Sequence, residues 1–409
     1  MKKLNYIPVL VVLTLVLLMD LYVFQGIKVL FEAEGEGSGY RPVCGLFWLL
    51  SVSIAAGFTY VVLRALSTGK IPSYFNAAVN TFLTFFVTKL VFVMILFTED
   101  IFRMGYAVLN DGRWLERFPF ISQMALILSA FPFFSFLYGV TKGKYNYKIH
   151  RYKLYFKDLP PAFEGFKLVQ ISDIHAGSFG NSKAVKRGVK LINAENADLV
   201  VFTGDLVNNK SEEIVPWLST FGEITANYGK FSVLGNHDYG DYIRWDSIDE
   251  KIENLNNLKK YHAEMGFRLL LDENVSVSKN GEEIKILGVE NWGLGFGERG
   301  DIKKALKNVS STDFKILLSH DPTHWQTIIK NYPVKIHLTL SGHTHGMQFG
   351  IEALGIKWSP VKYRYPHWAG LADEQGRYLY INRGFGFLGF SGRVGIWPEI
   401  TTITFHRSV

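Results

Sequence analysis

Five short motifs in the later part of the chain are built from aspartate, asparagine and histidine. They are Asp173-Ile174-His175, Gly204-Asp205, Gly235-Asn236-His237-Asp238, His320-Asp321 and Gly342-His343-Thr344-His345-Gly346. Imidazole mixed with carboxylate and amide oxygen suits Mn, Fe, Zn or Ni better than Mg or Ca, which prefer all-oxygen shells. Seven such positions are enough for two ions if one carboxylate bridges. Two metals about 3.5–4 Å apart clamp a phosphoryl group and lower the pKa of a water between them, which supplies a nucleophile for in-line displacement. A histidine left beside them then protonates the leaving oxygen. One Asp-x-His alone says little, because surface turns are rich in both residues. Five such endings in succession are poorly explained as turn residues.

Each motif closes a short apolar run. Phe166–Ser172, Asp198–Thr203, Phe231–Leu234, Phe314–Ser319 and Ile336–Ser341 precede the five in order, with amphipathic segments between them. Short runs alternating with helical patterns predict an α/β architecture. Ligands of open α/β sheets bind beyond the carboxyl ends of the strands, so the five tips are expected to converge. Gly204, Gly235, Gly342 and Gly346 permit tight turns and close backbone approach there. Asn280-Gly281, between two further apolar runs, reads as a hairpin turn without chemical content.

The order D-x-H, G-D, G-N-H-D, H, G-H-x-H resembles the calcineurin-like metallophosphoesterase superfamily, from Phe166 to the C-terminus. The resemblance implies an αββα sandwich with a dimetal centre at the strand ends. It implies Asp173, His175 and His345 on one metal, Asn236, His320 and His343 on the other, and Asp205 bridging. His237 then stands as general acid, with Asp238 orienting it. The cofactors implied are two divalent ions, Mn in the first place, with Fe or Zn as alternatives. Ser/Thr protein phosphatases of the superfamily continue G-D with an arginine-containing motif; here Leu206-Val207-Asn208-Asn209 follows, which argues against that activity. Leu340 to Gly346, and Asn382-Arg383-Gly384-Phe385-Gly386 with Arg393, resemble bacterial membrane-associated phosphoesterases, some of which hydrolyse the pyrophosphate of UDP-2,3-diacylglucosamine. Met347 stands where that subgroup commonly has a second glycine, and His337 where an aspartate is common; both are expected to alter the wall of the substrate pocket. Arg383 and His324 are the candidate phosphate contacts. The alternatives are a surface turn charge for Arg383 and a partly exposed helix residue for His324.

What must carry this unit is visible in the composition. Of 409 residues, 48% are hydrophobic and only 20% charged, which excludes a disordered chain. The single cysteine, Cys44, excludes an intrachain disulfide and a thiolate cluster. The apolar excess lies in four stretches, Tyr6–Leu30, Val43–Leu63, Phe75–Phe97 and Phe118–Val140. A run of about 20 residues matches a hydrocarbon core of about 30 Å, so four spans are expected. The expected division is a four-helix transmembrane domain over 1–141, a basic juxtamembrane linker over 142–165 and a catalytic domain over 166–409. Asp20 and Lys89 interrupt the spans; each needs a partner, and they are expected to pair as an interhelical lock or to grip a lipid headgroup.

Orientation follows the Lys and Arg count. With the N-terminus inside, Lys2, Lys3, Arg64, Lys70, Lys142, Lys144, Lys148, Arg151 and Lys153 lie inside, against Lys28, Arg41, Arg103, Arg113 and Arg117 outside, where Glu32, Glu34 and Glu36 also fall. This predicts a multi-pass inner-membrane protein with a cytoplasmic catalytic domain. The net charge of +7 includes only a modest surplus after residue 142, 34 Lys+Arg against 29 Asp+Glu, so no nucleic-acid partner is expected. The basic run after the fourth span is better matched to lipid phosphate. The segment Trp358–Trp368 mixes aromatics with cations as interfacial anchors do, or is a loop packed on the domain. The expected function is hydrolysis of a phosphodiester or pyrophosphate bond in a lipid or lipid-linked substrate. The alternative is a membrane sensor or transport-like module whose cytoplasmic domain hydrolyses a soluble phosphoester such as a nucleotide. A reporter fused after Val409 is predicted to show cytoplasmic activity; periplasmic activity would reverse the topology.

Overall fold

Residues 6–32, 40–68, 72 and 74–408 are described by the structure, a computed structural model. Lys2, Lys3, Glu34, Glu36 and Lys70 of the charge count lie outside the described residues. The chain divides into two units, Met1–Thr141 and Lys142–Val409.

Four helices long and apolar enough to cross a membrane form the first unit: α1 (Ile7–Glu32), α2 (Tyr40–Thr68), α3 (Phe75–Leu109) and α4 (Pro119–Thr141). Their outer faces carry exposed Leu, Ile, Val and Phe, as a lipid solvent permits, while Val23, Phe92, Leu96 and Ala125 form a small interior. Gly26 lets α1 pack closely on α3: a β-carbon there would come within 2.6 Å of the Leu96 side chain and force it to shift. Asp20 and Lys89 do pair: Lys89 Nζ donates to Asp20 Oδ1 at 2.5 Å and to Ser51 Oγ at 2.8 Å, joining α1, α2 and α3.

α3 runs twelve residues past the expected end at Phe97. The hydropathy stops at Glu99-Asp100, but those charges are neutralised locally rather than by water. Arg117 binds Glu99 and Asp100 at 2.8 Å, Arg103 binds Asp100 at 2.8 Å, and Glu99 accepts the Phe118 amide at 2.6 Å. Arg103 and Arg117 are thus paired helix and loop residues, not free loop charges.

The second unit is built on two six-stranded sheets. The first runs Lys148–Phe156, Glu399–Arg407, Lys167–Ile171, Leu199–Phe202, Lys230–Ser232, Arg268–Leu269. The second runs Gly370–Glu374, Arg377–Ile381, Leu338–Ser341, Lys315–Leu318, Glu282–Gly288, Glu273–Lys279. Side chains alternate across each strand. Leu168, Val201, Ile316, Leu318, Leu338 and Leu340 therefore meet between the sheets, with Phe405 beside them. Val169, Val200 and Phe202 face outward onto Val185, Val189 and Leu258 of helices Ser182–Ala194 and Ile248–Glu264. Leu317, Leu379 and Ile381 face the other way, onto Trp325 and Ile302. The result is a helix, sheet, sheet, helix sandwich. Asn280 and Gly281, with φ of 51° and 83°, turn Glu273–Lys279 into Glu282–Gly288 as a primed hairpin turn does.

The segment 142–165 is not a linker. Its run Lys148–Phe156 pairs in parallel with Glu399–Arg407, from Lys148 opposite Glu399 to Phe156 opposite Arg407. Charge masked an alternating pattern: Leu154 and Phe156 are buried, while Arg151 reaches out to clasp Glu195 at 2.6 and 3.0 Å.

Lys89→Ala leaves the buried Asp20 uncompensated and is predicted to cost about 3–5 kcal/mol, with the Asp20→Asn/Lys89→Met double variant recovering much of it. Thermal unfolding of detergent-solubilised protein reads both; an unchanged midpoint for Lys89→Ala would show that the pair is no interhelical lock.

Candidate metal centre

The carboxyl ends of Lys167–Ile171, Leu199–Phe202 and Lys230–Ser232 in one sheet, and of Lys315–Leu318 and Leu338–Ser341 in the other, deliver the five motifs to one place. Asp173, His175 and His345 form one group whose candidate ligand atoms all lie within 4.8 Å of one another; Asp205, His320 and His343 form a second. Within the first, His345 Nε2 is 3.2 Å from Asp173 Oδ1 and 3.0 Å from His175 Nε2. Asp205 Oδ2 stands between the groups, 3.5 Å from His175 Nε2 and 3.2 Å from His320 Nε2. Asn236 joins the second group through Oδ1, 2.8 Å from His343 Nδ1.

The backbone is bent to achieve this. Asp173, His175, Asp205, His343 and His345 all have positive φ, between 47° and 71°. That left-handed region is sparsely populated by residues other than glycine and persists only where surrounding structure holds it. Asp238 supplies much of the hold. Its carboxylate accepts the amides of Gly235, Asp205, Leu206 and Val207, at 2.8–3.3 Å. Asp205 Oδ1 in turn accepts the His237 amide at 2.8 Å, and Asp173 accepts the His343 amide at 3.0 Å. Gly235 is obligatory, since a β-carbon there would collide with the Asp205 carboxylate, and one on Gly342 would collide with Ser172 and Asp173.

Electrostatics favour a cation. Burial opposes the charge on Asp173, but His345 and His320 outweigh it and hold the carboxyl below the usual carboxylate range. Asp205 is held well below it, against burial, by His320 and His237. Burial lowers His175 to about 3, whereas Asp205 overcomes burial at His320 and lifts it to about 10. Burial, helped by Asp205, raises Asp238 to about 7 despite its amide donors. The donor set fits metal ions by its orphans. The buried His175 Nδ1 has no hydrogen-bond partner, His320 Nε2 and Asp321 Oδ2 face only other groups of the cluster, Asp205 at 3.2 Å and His343 at 3.3 Å, and two imidazole nitrogens face each other at 3.0 Å. His320 Nδ1–H donates to the Thr203 carbonyl at 2.7 Å, which leaves the Nε2 lone pair for the centre.

His237 is half-buried, with its ring centroid 5.0 Å from that of His175. Asp238 does not orient it, contrary to expectation, because the Asp238 oxygens are taken by backbone amides. The orienting group is the Asn208 carbonyl, 2.8 Å from His237 Nδ1, with the Tyr242 ring 4.5 Å away. Tyr242 also accepts the Asn236 amide group at 2.7 Å, which aims Asn236 Oδ1 at His343. Tyr365 and Asp321 reach His343 Nε2, at 2.9 and 3.3 Å. Arg393 donates to the carbonyls of Arg383, Gly384 and Gly386 and lies 3.3 Å from His345 Nδ1. Of these, Asp321 was signalled by its place beside His320, Tyr365 only as part of the aromatic and cationic segment Trp358–Trp368, and Tyr242 not at all.

Three other expectations are corrected. Arg383 is 2% exposed and bound to Glu399 at 2.5 Å and to Glu352 at 2.5 and 2.9 Å, so it is neither a surface turn charge nor free for phosphate. His324 is 1% exposed rather than partly exposed; the short helix Thr323–Thr327 turns it inward to Ser319 Oγ at 2.8 Å and the Trp292 ring at 5.1 Å. His337 sits at the start of Leu338–Ser341, the end away from the centre, between Phe314 and Asp158, and does not line the metal site.

A family model described as "Calcineurin-like phosphoesterase" matches residues 166–347, and one described as "Probable Calcineurin-like phosphoesterase, transmembrane domain" matches 5–144. The uncharacterized metallophosphoesterase YkuE of Bacillus subtilis is 30% identical over 251 residues, 60% of this chain and 81% of that protein. The chain belongs to the calcineurin-like phosphoesterases. A Bos taurus transmembrane protein with metallophosphoesterase domain is 26% identical over 377 residues, 87% of this phosphoesterase and 78% of the bovine protein. The UDP-2,3-diacylglucosamine pyrophosphatase LpxG of Chlamydia muridarum is 28% identical over 280 residues, 56% of this chain and 81% of its own. This phosphoesterase is a membrane-anchored phosphoric ester hydrolase of a family that uses two divalent metals, and its two Asp/His clusters fit such sites.

Arg383→Ala leaves the fully buried Glu399 without its cation and is predicted to cost about 3–5 kcal/mol of stability, with metal content per folded molecule unchanged. Wild-type stability combined with a raised KM would instead return Arg383 to the substrate.

Proposed function

We propose that the phosphoesterase binds one ion with Asp173, His175 and His345 and a second with Asn236, His320 and His343, Asp205 being shared, and that it cleaves a phosphodiester or pyrophosphate bond in a lipid or lipid-linked substrate. The observation that carries the dimetal reading is the position of Asp205 Oδ2, within 3.5 Å of a histidine from each cluster. Manganese is the favoured metal, because imidazole, carboxylate and amide oxygens are mixed; iron and zinc share that preference. Two such ions, when bound, would polarise the phosphoryl oxygens and acidify a water for attack.

The protein's own part is positional and protolytic. Asp238 keeps the Asp205 loop fixed through its amide bonds. His237 has Nδ1–H committed to the Asn208 carbonyl, so the proton it delivers to the leaving oxygen is the one on Nε2. Asn236 is held by Tyr242, and His343 by Tyr365, so neither has to reorganise when substrate arrives.

Support for a lipid-linked substrate comes from the four spans and from the likeness to a protein named for a lipid-linked pyrophosphate, at 28% identity. Membrane anchoring raises the effective concentration of a substrate confined to the same surface. We place the catalytic unit on the cytoplasmic side of an inner membrane, following the Lys and Arg distribution.

Asp205→Ala is predicted to lose bound metal and turnover together. His237→Ala is predicted to keep metal and lose about 10²–10⁴-fold in kcat. Metal analysis and turnover of protein in lipid nanodiscs with added Mn²⁺ read both, and full activity after chelation would defeat the dimetal reading. Preference for a soluble monoester over a nucleotide-linked lipid, phosphatidate and soluble diesters would defeat the lipid reading and leave the metal reading intact.

A further inference from the structure

Past the last metal-site motif the catalytic unit carries a two-stranded ribbon, Ile351–Ala353 paired with Ile356–Trp358 around a Leu354-Gly355 turn. Its register is Ile351 opposite Trp358, Glu352 opposite Lys357 and Ala353 opposite Ile356. Because side chains alternate, one face holds Ile351, Ala353, Ile356 and Trp358, and the other holds Glu352 and Lys357. A ribbon on a water-soluble surface turns its apolar face to the core and its polar face to solvent. Here most of the apolar face is open, with only Trp358 half-buried, while the polar side chains reach inward although Lys357 remains partly in solvent. Glu352 is drawn inward to Arg383, and Lys357 donates to the Ala369 carbonyl at 2.6 Å with its ammonium 5.2 Å from the Trp368 ring centroid. The apolar side stays open: Ile351 is 49% exposed, Ile356 54% and Leu354, at the tip, 100%. Tyr363, 77% exposed, stands in the turn that follows.

The segment itself is cationic. Between residues 343 and 370 the sequence holds Lys357, Lys362 and Arg364 against a single carboxylate, Glu352, and that one is neutralised by Arg383. Lys362 and Arg364 are exposed. Apolar tips flanked by tyrosine and by uncompensated cations suit a bilayer whose headgroups are anionic, where Leu and Ile enter the acyl boundary and the cations meet phosphate. Only residues 142–147 separate α4 from the first strand, so the unit is tethered within a few residues of a span.

We propose that the 351–358 ribbon, with Tyr363, Lys362 and Arg364, is a membrane-docking surface of the catalytic unit for an anionic bilayer, separate from the four spans. It is tied to the metal centre through one continuous segment. Ser359 Oγ donates to the Gly346 carbonyl at 2.8 Å, and Tyr365, two residues beyond Tyr363, bonds His343. Docking therefore sets where the centre meets the headgroup layer, whichever phosphoester is cleaved.

The test uses the full chain in a Cys44→Ser background, with an environment-sensitive fluorophore attached at Leu354→Cys or, for comparison, at Asn280→Cys. Asn280 is exposed, in the hairpin at the end of the sheet away from the metal centre. Both proteins are reconstituted in vesicles of phosphatidylcholine with phosphatidylglycerol. The label at position 354 is expected to be quenched by brominated acyl chains and shielded from iodide, and the label at 280 to show the reverse. Lys362→Glu with Arg364→Glu, or high salt, is expected to bring the lipid quenching at 354 down to the level at 280. Equal behaviour of the two labels would overturn the proposal. So would shielding at 354 that persists in detergent and grows with protein concentration, which would mean that a second copy covers the ribbon.

Discussion

Two carboxylates that water cannot reach set the terms for the catalytic unit. Asp173 and Asp205 are 0% and 1% exposed, and an isolated ionised carboxylate in such a place is prohibitively costly. The fold meets this by assembling imidazoles and oriented amides around both, so that the charged form is retained rather than neutralised. The same arrangement leaves nitrogen and oxygen lone pairs directed at each other with too few protons between them. A divalent cation would fit that set. Affinity for metal and stability of the folded centre would then be coupled.

The strain needed to bring five chain segments together is spread over five Asp and His residues in left-handed backbone conformations, and the restraint is spread as widely. Asp238 gathers the amides of the second motif, Arg393 gathers the carbonyls around Gly384, and Glu399 anchors Arg383 and Tyr380 beneath them. Gln170 reaches from one sheet to the Ser341 carbonyl of the other, at 2.8 Å, just under the metal site. Such residues touch no substrate. They hold these loops in one geometry, which is the preorganisation that electrostatic catalysis requires.

Much of this was legible in the chain, and the exceptions share a cause. The five strand ends could be read because each couples an apolar run to a motif within a few residues, and the strands fall within about two residues of their expected bounds. The role of Asp238 could not, because its partners are backbone amides, which leave no residue-type signature. Nor could that of Arg383, whose partners Glu352 and Glu399 lie 31 and 16 residues away. The strand at 148–156 was hidden by its charges, and the last turns of α3 by Glu99 and Asp100, although in both places the charge is paired rather than solvated. Local pattern reports water exposure well and long-range pairing poorly.

The register of that first strand bears on how the protein is made. Lys148–Phe156 leaves the last membrane helix and pairs with Glu399–Arg407, nearly the whole catalytic unit later in the chain. During synthesis the earliest strand is thus the one whose partner emerges last, and its amides and carbonyls stay unpaired while every other strand is being translated. The sheet closes only when the final segment inserts between the first strand and Lys167–Ile171. Contacts of this span close late and slowly, and an open strand edge invites foreign pairing in the interval. Four of the nine residues from 148 to 156 are cations (Lys148, Arg151, Lys153) or histidine (His150), and charge of this kind on an edge is what discourages such pairing.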